Sequence, residues 1–385
     1  RASQALRQPG SAFKPFVYLA SLEKSYAPTG LIYDAPLAYP QCEGCPKWKP
    51  ANYTKKFYGL SPLRLGIEKS RNLMTARLAI KLIEEEKLSI IQKFAFKHKI
   101  DEDKLHDFLG KKYSSNTISK NLGINLKVTE SFFKDLNKPN IIQRYAKSFG
   151  INQTLPPYLS MSLGAGETTL LDLTNAYGMI VNGGKKINPI IIDRVQDVDG
   201  KTIYNTEKRY CFNCDKISFT GKEIPTIKDN YKQVISPETS FQITSILEGV
   251  IDRGTGKKLN DINLELAGKT GTTNKNTDTW FIGYNSKYVI GVYVGMDEPE
   301  SLGKKETGSR TAMPIFRDFI LKASKKSESK PFKIPNNISL MVVDIKTGEK
   351  ADFGSKKTII EAFKKNDKRN NEAVNKININ NFNFY

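Results

Sequence analysis

No apolar run in this 385-residue sequence approaches the roughly 18 residues that cross a bilayer. The longest candidate is the short stretch Tyr288 to Met296, so the residues given are read as a soluble piece. They begin at Arg1 without an export leader, and any targeting or anchoring information is expected upstream, which makes the chain a fragment in this reading. Cysteine is scarce: the four present form two Cys-x-x-Cys pairs, Cys42/Cys45 and Cys211/Cys214. Two such pairs suit a four-thiolate zinc site, and one alone suits a redox dithiol. No βαβ pattern of the thioredoxin kind surrounds either pair. Structural disulfides, within or across the pairs, are the favoured reading, as in an oxidising compartment, and no metal or cofactor is assigned. Acidic residues are outnumbered, 40 against 60 lysines and arginines, for a net charge of +20. That balance invites a nucleic-acid reading, and its distribution opposes it. Lysines are spread along the chain, often among asparagines, and the densest basic stretch, Lys364 to Arg369, lies near a polar tail. Solvated surface is favoured over a specific anionic partner, for which a cell-envelope surface would serve as well as nucleic acid; no nucleic-acid partner is assigned. The hydrophobic content of 39% suffices for the core of one large domain or two ordinary ones.

The chain opens with a turn at Pro9-Gly10 and an apolar stretch, Phe13 to Leu22, of helical length. Pro15 is compatible with its first turn, where no internal N–H bond is lost. Ser11 therefore stands at or near a helix N-terminus. Residues 31–62, rich in Pro, Tyr and Gly, read as a long surface excursion before a helical pattern resumes near Leu63. From about 82 to 140 the composition turns Lys/Glu-rich with several short helical periods, an apparent insertion. Within it, Asn116 to Leu136 has a helix-turn-helix rhythm with Gly123 at the turn, a pattern too common to assign DNA binding. Helices are expected over Leu170–Asn182, with Thr169 and Asp172 as a capping box, and over Pro237–Ile251, with Ser236 as N-cap. Three strands follow, Leu266–Thr272, Thr279–Tyr284 and Lys287–Met296, whose short connections favour an antiparallel sheet. A helix over Ala312–Leu321 is placed to cover it. Residues 323–385 read as a linker, a short strand over Ser339–Asp344, and a disordered Asn/Lys-rich tail.

Three short motifs occur in order: Ser11-Ala12-Phe13-Lys14, Ser70-Arg71-Asn72 and Lys269-Thr270-Gly271-Thr272. Each alone is weak; a Ser-x-x-Lys arises by chance in most chains of this size. Together they describe nucleophilic acyl transfer. Ser11 and Lys14 lie three apart on a helix and so share a face. The helix N-terminus and a second cation, Lys269, both disfavour a charged ammonium at Lys14, which could then take the serine proton. An N–H on the strand carrying Lys269, with the N–H of Ser11, would make two donors for a developing oxyanion. Gly271, lacking a side chain, would let a substrate backbone lie close.

The likeness extends past these motifs. The stretches Arg7 to Phe16, Leu159 to Thr169, Arg253 to Gly256, Ala267 to Thr273, Trp280 to Tyr284 and Pro314 to Phe316 resemble the transpeptidase module of class A penicillin-binding proteins, over most of residues 1–81 and 141–321. The resemblance implies an α+β fold, an antiparallel sheet flanked by helices with an all-helical subdomain carrying the second motif. It implies a DD-transpeptidase: Ser11 attacks the D-Ala-D-Ala bond of a peptidoglycan stem peptide, and an acceptor amine from a neighbouring stem takes the acyl group. By position, Lys14 is the base, Ser70 relays a proton, Asn72 orients Lys14 and the substrate amide, Lys269 tunes the electrostatics, and Thr270 and Thr272 bind the substrate carboxylate. The backbone of Thr272 completes the oxyanion hole. β-Lactams are implied as acylating ligands, and the location as the outer face of a bacterial inner membrane, reached through an upstream anchor. Only ten residues precede Ser11, whereas such enzymes place two sheet strands, and farther upstream a glycosyltransferase domain, before the serine; those strands are expected to be missing here. Arg71 stands where class A β-lactamases have an acidic residue. The alternatives on the same scaffold are a carboxypeptidase or β-lactamase, for which no motif supplies a water-activating base, and a non-enzymatic penicillin-binding sensor. Glu167 is read as structural. The transpeptidase domain is placed at 1–322.

Overall fold

The computed structural model describes residues 1–40, 46–151, 155–206, 209–212, 226–325 and 329–365. A 3-10 turn, Gly10–Phe13, runs directly into helix α1, Lys14–Glu23. Phe16, Val17, Tyr18, Leu19, Ala20 and Leu22 are all fully buried, and a helix apolar on every side belongs in a core. α1 lies at the centre of the main one.

Strands β1 (Leu31–Asp34) and β2 (Gly59–Pro62) form an antiparallel pair. They lie at the ends of the stretch expected to be a surface excursion, and the expectation is corrected there. The strands are too short to show a period; tertiary contacts hold them, with Ile32 buried in the main core and Leu63 donating its N–H to Gly30 O at 2.7 Å.

Helix α2 (Leu63–Glu68) is followed by α3 (Asn72–His98), a single helix of 27 residues. It crosses the expected start of the insertion, where short helices had been anticipated. No glycine or proline interrupts residues 72–98, so nothing in the backbone stops propagation. Its first half buries Met74, Leu78 and Leu82 in the main core, while its second half carries Ile91, Phe94 and Ala95 into a satellite core. Helices α4 (Glu102–Gly110), α5 (Ser115–Leu122) and α6 (Leu126–Leu136) complete that satellite, and α7 (Ile141–Ser148) returns to the main core. Gly123 turns between α5 and α6 with φ +65. The apolar face of α6 is spent on α3: Phe132 stacks on Phe94 with ring centroids 4.1 Å apart.

Helix α8 (Leu170–Val181) starts where expected, with Thr169 Oγ1 accepting from Asp172 N–H, the Thr169 half of the expected capping box. Two peripheral antiparallel pairs follow, β3 (Arg194–Gln196) with β4 (Thr202–Asn205), and β5 (Arg209–Phe212) with β6 (Thr226–Asp229). Cys211 on β5 is disulfide-bonded; Cys42, Cys45 and Cys214 lie outside the described residues. Helix α9 (Pro237–Asp252), capped by Ser236, leads to the sheet of β7 (Ala267–Thr272), β8 (Asp278–Tyr284) and β9 (Val289–Gly295), antiparallel in that order. Every residue of β8 is buried and the strand feeds two cores: Trp280, Ile282 and Tyr284 join the main one, and Phe281 meets Phe316 of α10 (Ala312–Ala323). The fold is thus α+β, an antiparallel sheet between helices.

Strands β10 (Ile338–Asp344) and β11 (Thr358–Lys364) pair antiparallel. β11 falls where the polar tail was expected, a further correction. Its inward side chain, Glu361, is charged and carries no hydrophobic signal, yet it is fully buried against Arg64 of α2. Residues 366–385 of the expected tail lie outside the described part.

Candidate active site

The first motif is held by its backbone. Gly10 takes φ +51 and donates its N–H to Gly164 O at 3.1 Å. Trp280 Nε1 donates to Gln8 O at 2.9 Å, and Tyr177 Oη to Ala12 O at 2.7 Å. These bonds seat Ser11, half-buried in the 3-10 turn, beside β7, whose other edge is paired with β8. The approach is close enough to require glycine on both sides. A side chain at Gly10 would strike Thr272 O, and one at Gly271 would strike Pro9 O and Ala12 Cβ. The sequence reading of Gly271 is corrected here: the space its missing side chain leaves is taken by the serine turn of this chain rather than by a substrate.

Lys14 lies one turn along, with no exposed surface. Its Nζ donates to Ser70 O at 2.8 Å and to Asn72 Oδ1 at 2.6 Å, and Ser70 Oγ lies 3.4 Å away. Lys269, equally buried, donates from Nζ to Ser70 Oγ at 2.9 Å and to Thr270 O at 3.0 Å. The three motifs, far apart in sequence, therefore meet around Ser70. Two amines with one hydroxyl between them, out of water, cannot both keep a proton at low cost. Burial first, and the Lys269 charge second, push Lys14 well below the ordinary lysine value, against a smaller opposing pull from Asp34. Burial alone lowers Lys269 to about 7. A neutral Lys14 that gives two N–H groups to Ser70 O and Asn72 Oδ1 keeps its lone pair free to accept a proton.

Ser70 occupies its place through a left-handed backbone, φ +53, two residues past the end of α2. Asn72, at the start of α3, has its amide fixed in one sense, with Nδ2 donating to Ala51 O at 2.7 Å. The residue that makes this possible is Asn52, which sequence reasoning left in a loop. Its Oδ1 accepts the N–H groups of Asn72 and Leu73, capping α3 from a distance, and its Nδ2 donates to Asp34 Oδ1 at 2.6 Å. No helix-capping spacing announces it, because the cap comes from a residue 20 positions upstream. Arg71, in the middle of the second motif, turns away from the two lysines. It lies over the Tyr58 ring at 4.2 Å and pairs with buried Asp34 at 3.5 Å.

Thr270 and Thr272 are partnered in this state. Thr270 Oγ1 is 2.9 Å from Thr255 Oγ1, and Thr272 Oγ1 accepts from Gly308 N–H at 3.0 Å. Thr255 belongs to the Arg253 to Gly256 stretch noted in the sequence, and its hydroxyl adds a third threonine to the row. A cavity of about 680 Å³ lies elsewhere, between α3 and α6, and includes none of these residues. Among the described residues no group of three or more His, Cys, Asp or Glu side chains could hold a metal ion.

Comparison with known proteins bears on this arrangement. The model of the penicillin binding protein transpeptidase domain matches residues 1–321. Penicillin-binding protein 1A of Rickettsia typhi is 40% identical over 370 residues, 95% of this chain and 40% of that protein. The protein of the same name from Pseudomonas aeruginosa is 30% identical over 402 residues, again 95% of this chain. The chain spans about two fifths of the length of these curated relatives. Among solved structures, penicillin-binding protein 1A from Haemophilus influenzae superposes with a TM-score of 0.66 at 25% identity, covering 94% of this chain and 48% of that one. With the matched model covering the turn of Ser11, the Ser70 loop and strand β7 in one span, the chain belongs to the family of penicillin-binding protein transpeptidase domains.

Proposed function

We propose that this chain is the acyl-transfer domain of a peptidoglycan DD-transpeptidase, with Ser11 as the nucleophile. The observation that carries the proposal is the pair of buried amines, Lys14 and Lys269, meeting half-buried Ser70 and Asn72 beside the serine turn. Lys14, neutral at working pH, takes the Ser11 proton as Oγ attacks the penultimate D-Ala carbonyl of a stem peptide. The oxyanion that forms is held by the N–H groups of Ser11 and Thr272. As the bond to the terminal D-Ala breaks, Lys14 returns the proton through Ser70 Oγ to the leaving nitrogen, and an acyl-Ser11 ester remains. An acceptor amine then attacks the ester, its proton follows the reverse route, and the cross-linked peptide leaves with Ser11 regenerated. Asn72 fixes Lys14. Lys269 holds Ser70 and keeps the field positive, and Thr270 and Thr272 bind the terminal carboxylate, exchanging their present partners for it. A β-lactam enters the same step: its amide opens on Ser11, and because the leaving nitrogen stays tethered the adduct persists. No cofactor takes part. The substrate places the domain in the cell envelope, on the outer face of the inner membrane, attached there by segments of the longer protein.

The test is labelling with a fluorescent penicillin. A stable adduct should form and its mass should map to the peptide containing Ser11. Labelling of folded Ser11→Ala at the wild-type rate would sink the proposal.

A further inference from the structure

The hairpin β10–β11 lies beyond the segment that the family model matches, residues 1–321, yet it reaches the back of the site through buried charge. Arg64, in α2, is 1% exposed. Its Nε and Nη2 fork onto the Glu361 carboxylate at 2.5 and 3.0 Å, and its Nη1 donates to Glu68 Oε1 at 2.9 Å. Glu68, the last residue of α2, takes two more bonds from Arg253, at 2.6 Å from Nη2 and 3.0 Å from Nε. Arg253 also pairs with Asp252 at 3.4 Å, and the Glu68 and Glu361 carboxylates are fully buried. The network ends on the catalytic groups from two sides. Glu68 O accepts from Thr255 N–H at 3.1 Å, and Thr255 touches Thr270. Two residues past Glu68 is Ser70, whose carbonyl and hydroxyl meet Lys14 and Lys269. β11 is itself tied down, by Gln242 of α9 donating to Ala362 O at 2.9 Å and by Lys364 Nζ donating to Leu22 O at the end of α1 at 2.9 Å.

We infer that Glu361 is a positioning residue for acyl transfer: through Arg64 and Glu68 it fixes the end of α2, and with it the place of Ser70 between the two lysines. The physical ground is that α2 has only six residues and cannot hold its own C-terminus rigidly. A left-handed residue two positions past so short a helix needs an external brace, and a bidentate arginine pair supplies a stiff one. Removing the Glu361 charge takes the forked partner from buried Arg64, which is left sharing Glu68 with Arg253, and the brace on α2 is lost. The inference rests on the reading of Ser11, Lys14 and Ser70 as acyl-transfer groups.

The test is stopped-flow acylation by a fluorescent penicillin in the full-length protein, resolving the saturation constant from the limiting acylation rate. Glu361→Gln should lower the limiting rate about tenfold or more, since small displacements of a catalytic group from a distant change act at that scale. The saturation constant and the fraction of protein labelled should stay close to wild type. Glu361→Asp, which keeps the charge on a shorter stem, should recover part of the rate, and it decides alone if Glu361→Gln does not fold. A purely structural role would lower the labelled fraction and leave the rate of the remainder unchanged; that result, or wild-type limiting rates in the folded variants, overturns the inference. Wild-type protein that fails to label at Ser11 would instead remove the reading on which it rests.

Discussion

Lysine does opposite things in two regions of this molecule. In the site, Lys14 and Lys269 are fully buried, bonded to fixed acceptors, and held below the ordinary lysine range. In the helical insertion, Lys97 and Lys127 stand exposed on α3 and α6, around a small core of Phe94, Leu105 and Phe132. The same side chain is stripped of water in one place and a solubilising group in the other. The difference lies in what surrounds it: desolvation raises the cost of charge, and the polar groups of Ser70 and Asn72 repay only part of it. The site is therefore the costly region and the insertion the inexpensive one, and substitutions should separate them in that order.

The largest effect belongs to the serine and its base. Ser11→Ala should abolish penicillin labelling, and Lys14→Ala should slow it by about 10²–10⁴, the usual scale for losing a general base. Lys14→Arg should not rescue, because guanidinium keeps its proton. Recovery of labelling in that variant, followed by gel fluorescence, would break the contrast between the two kinds of lysine.

Next comes Lys269→Met, expected to slow acylation about a hundredfold, as when one electrostatic donor is removed. Its sign is sharper than its size. The Lys269 charge helps to lower Lys14, so its removal should move the acidic limb of the pH–rate profile to higher pH. Stability supplies a second reading of the same residue. Between about 7 and the ordinary value of 10.5, the unfolded chain holds a proton on Lys269 that the folded chain does not, so unfolding free energy should rise with pH across that window. Lys269→Met should flatten that rise in urea titrations at several pH values; an unchanged slope would show that Lys269 is not desolvated as described.

Asn52→Ala comes third and should register chiefly as lost stability, roughly 1–3 kcal/mol, because it strips a partner from buried Asp34 and the cap from α3. Thermal melting gives the number, and a neutral result would mean that the α3 N-terminus finds another partner.

The smallest effect is expected in the insertion. Glu86 accepts from Ile141 N–H at 2.9 Å, so the two ends of the satellite lie close together. Replacing Leu88 to Lys138 with a short Gly/Ser linker should leave acylation within about tenfold, near 1.4 kcal/mol. A thousandfold loss in a folded variant, measured by the same labelling rate, would erase the distinction between the regions.

Much of the site was legible in the sequence because its chemistry is local in spacing. Ser11 and Lys14 lie within one short motif, and β8 and β9 show their strand character in stretches of mostly apolar residues. The helices α8 and α9 announce themselves through Thr169 and Ser236 at their caps. What escaped was long-range and polar. Asn52 caps a helix it does not belong to, Glu361 reads as a surface charge on a tail, and α3 hides the boundary of the insertion inside one unbroken run. The packing reason for a glycine at 271 was also hidden, since only the fold reveals that Pro9 O occupies its open side.

The sequence by itself determined the class of fold, the elements that carry the motifs and the residue types needed for acyl transfer, because propensity, capping and periodicity act over a few residues. Tertiary structure alone decided that Lys14 and Lys269 converge on one hydroxyl, that both lose water, and that Arg64 is clasped between Glu68 and Glu361. The protonation state of an amine depends on its surroundings within a few ångströms, and those surroundings are drawn from segments that only folding brings together.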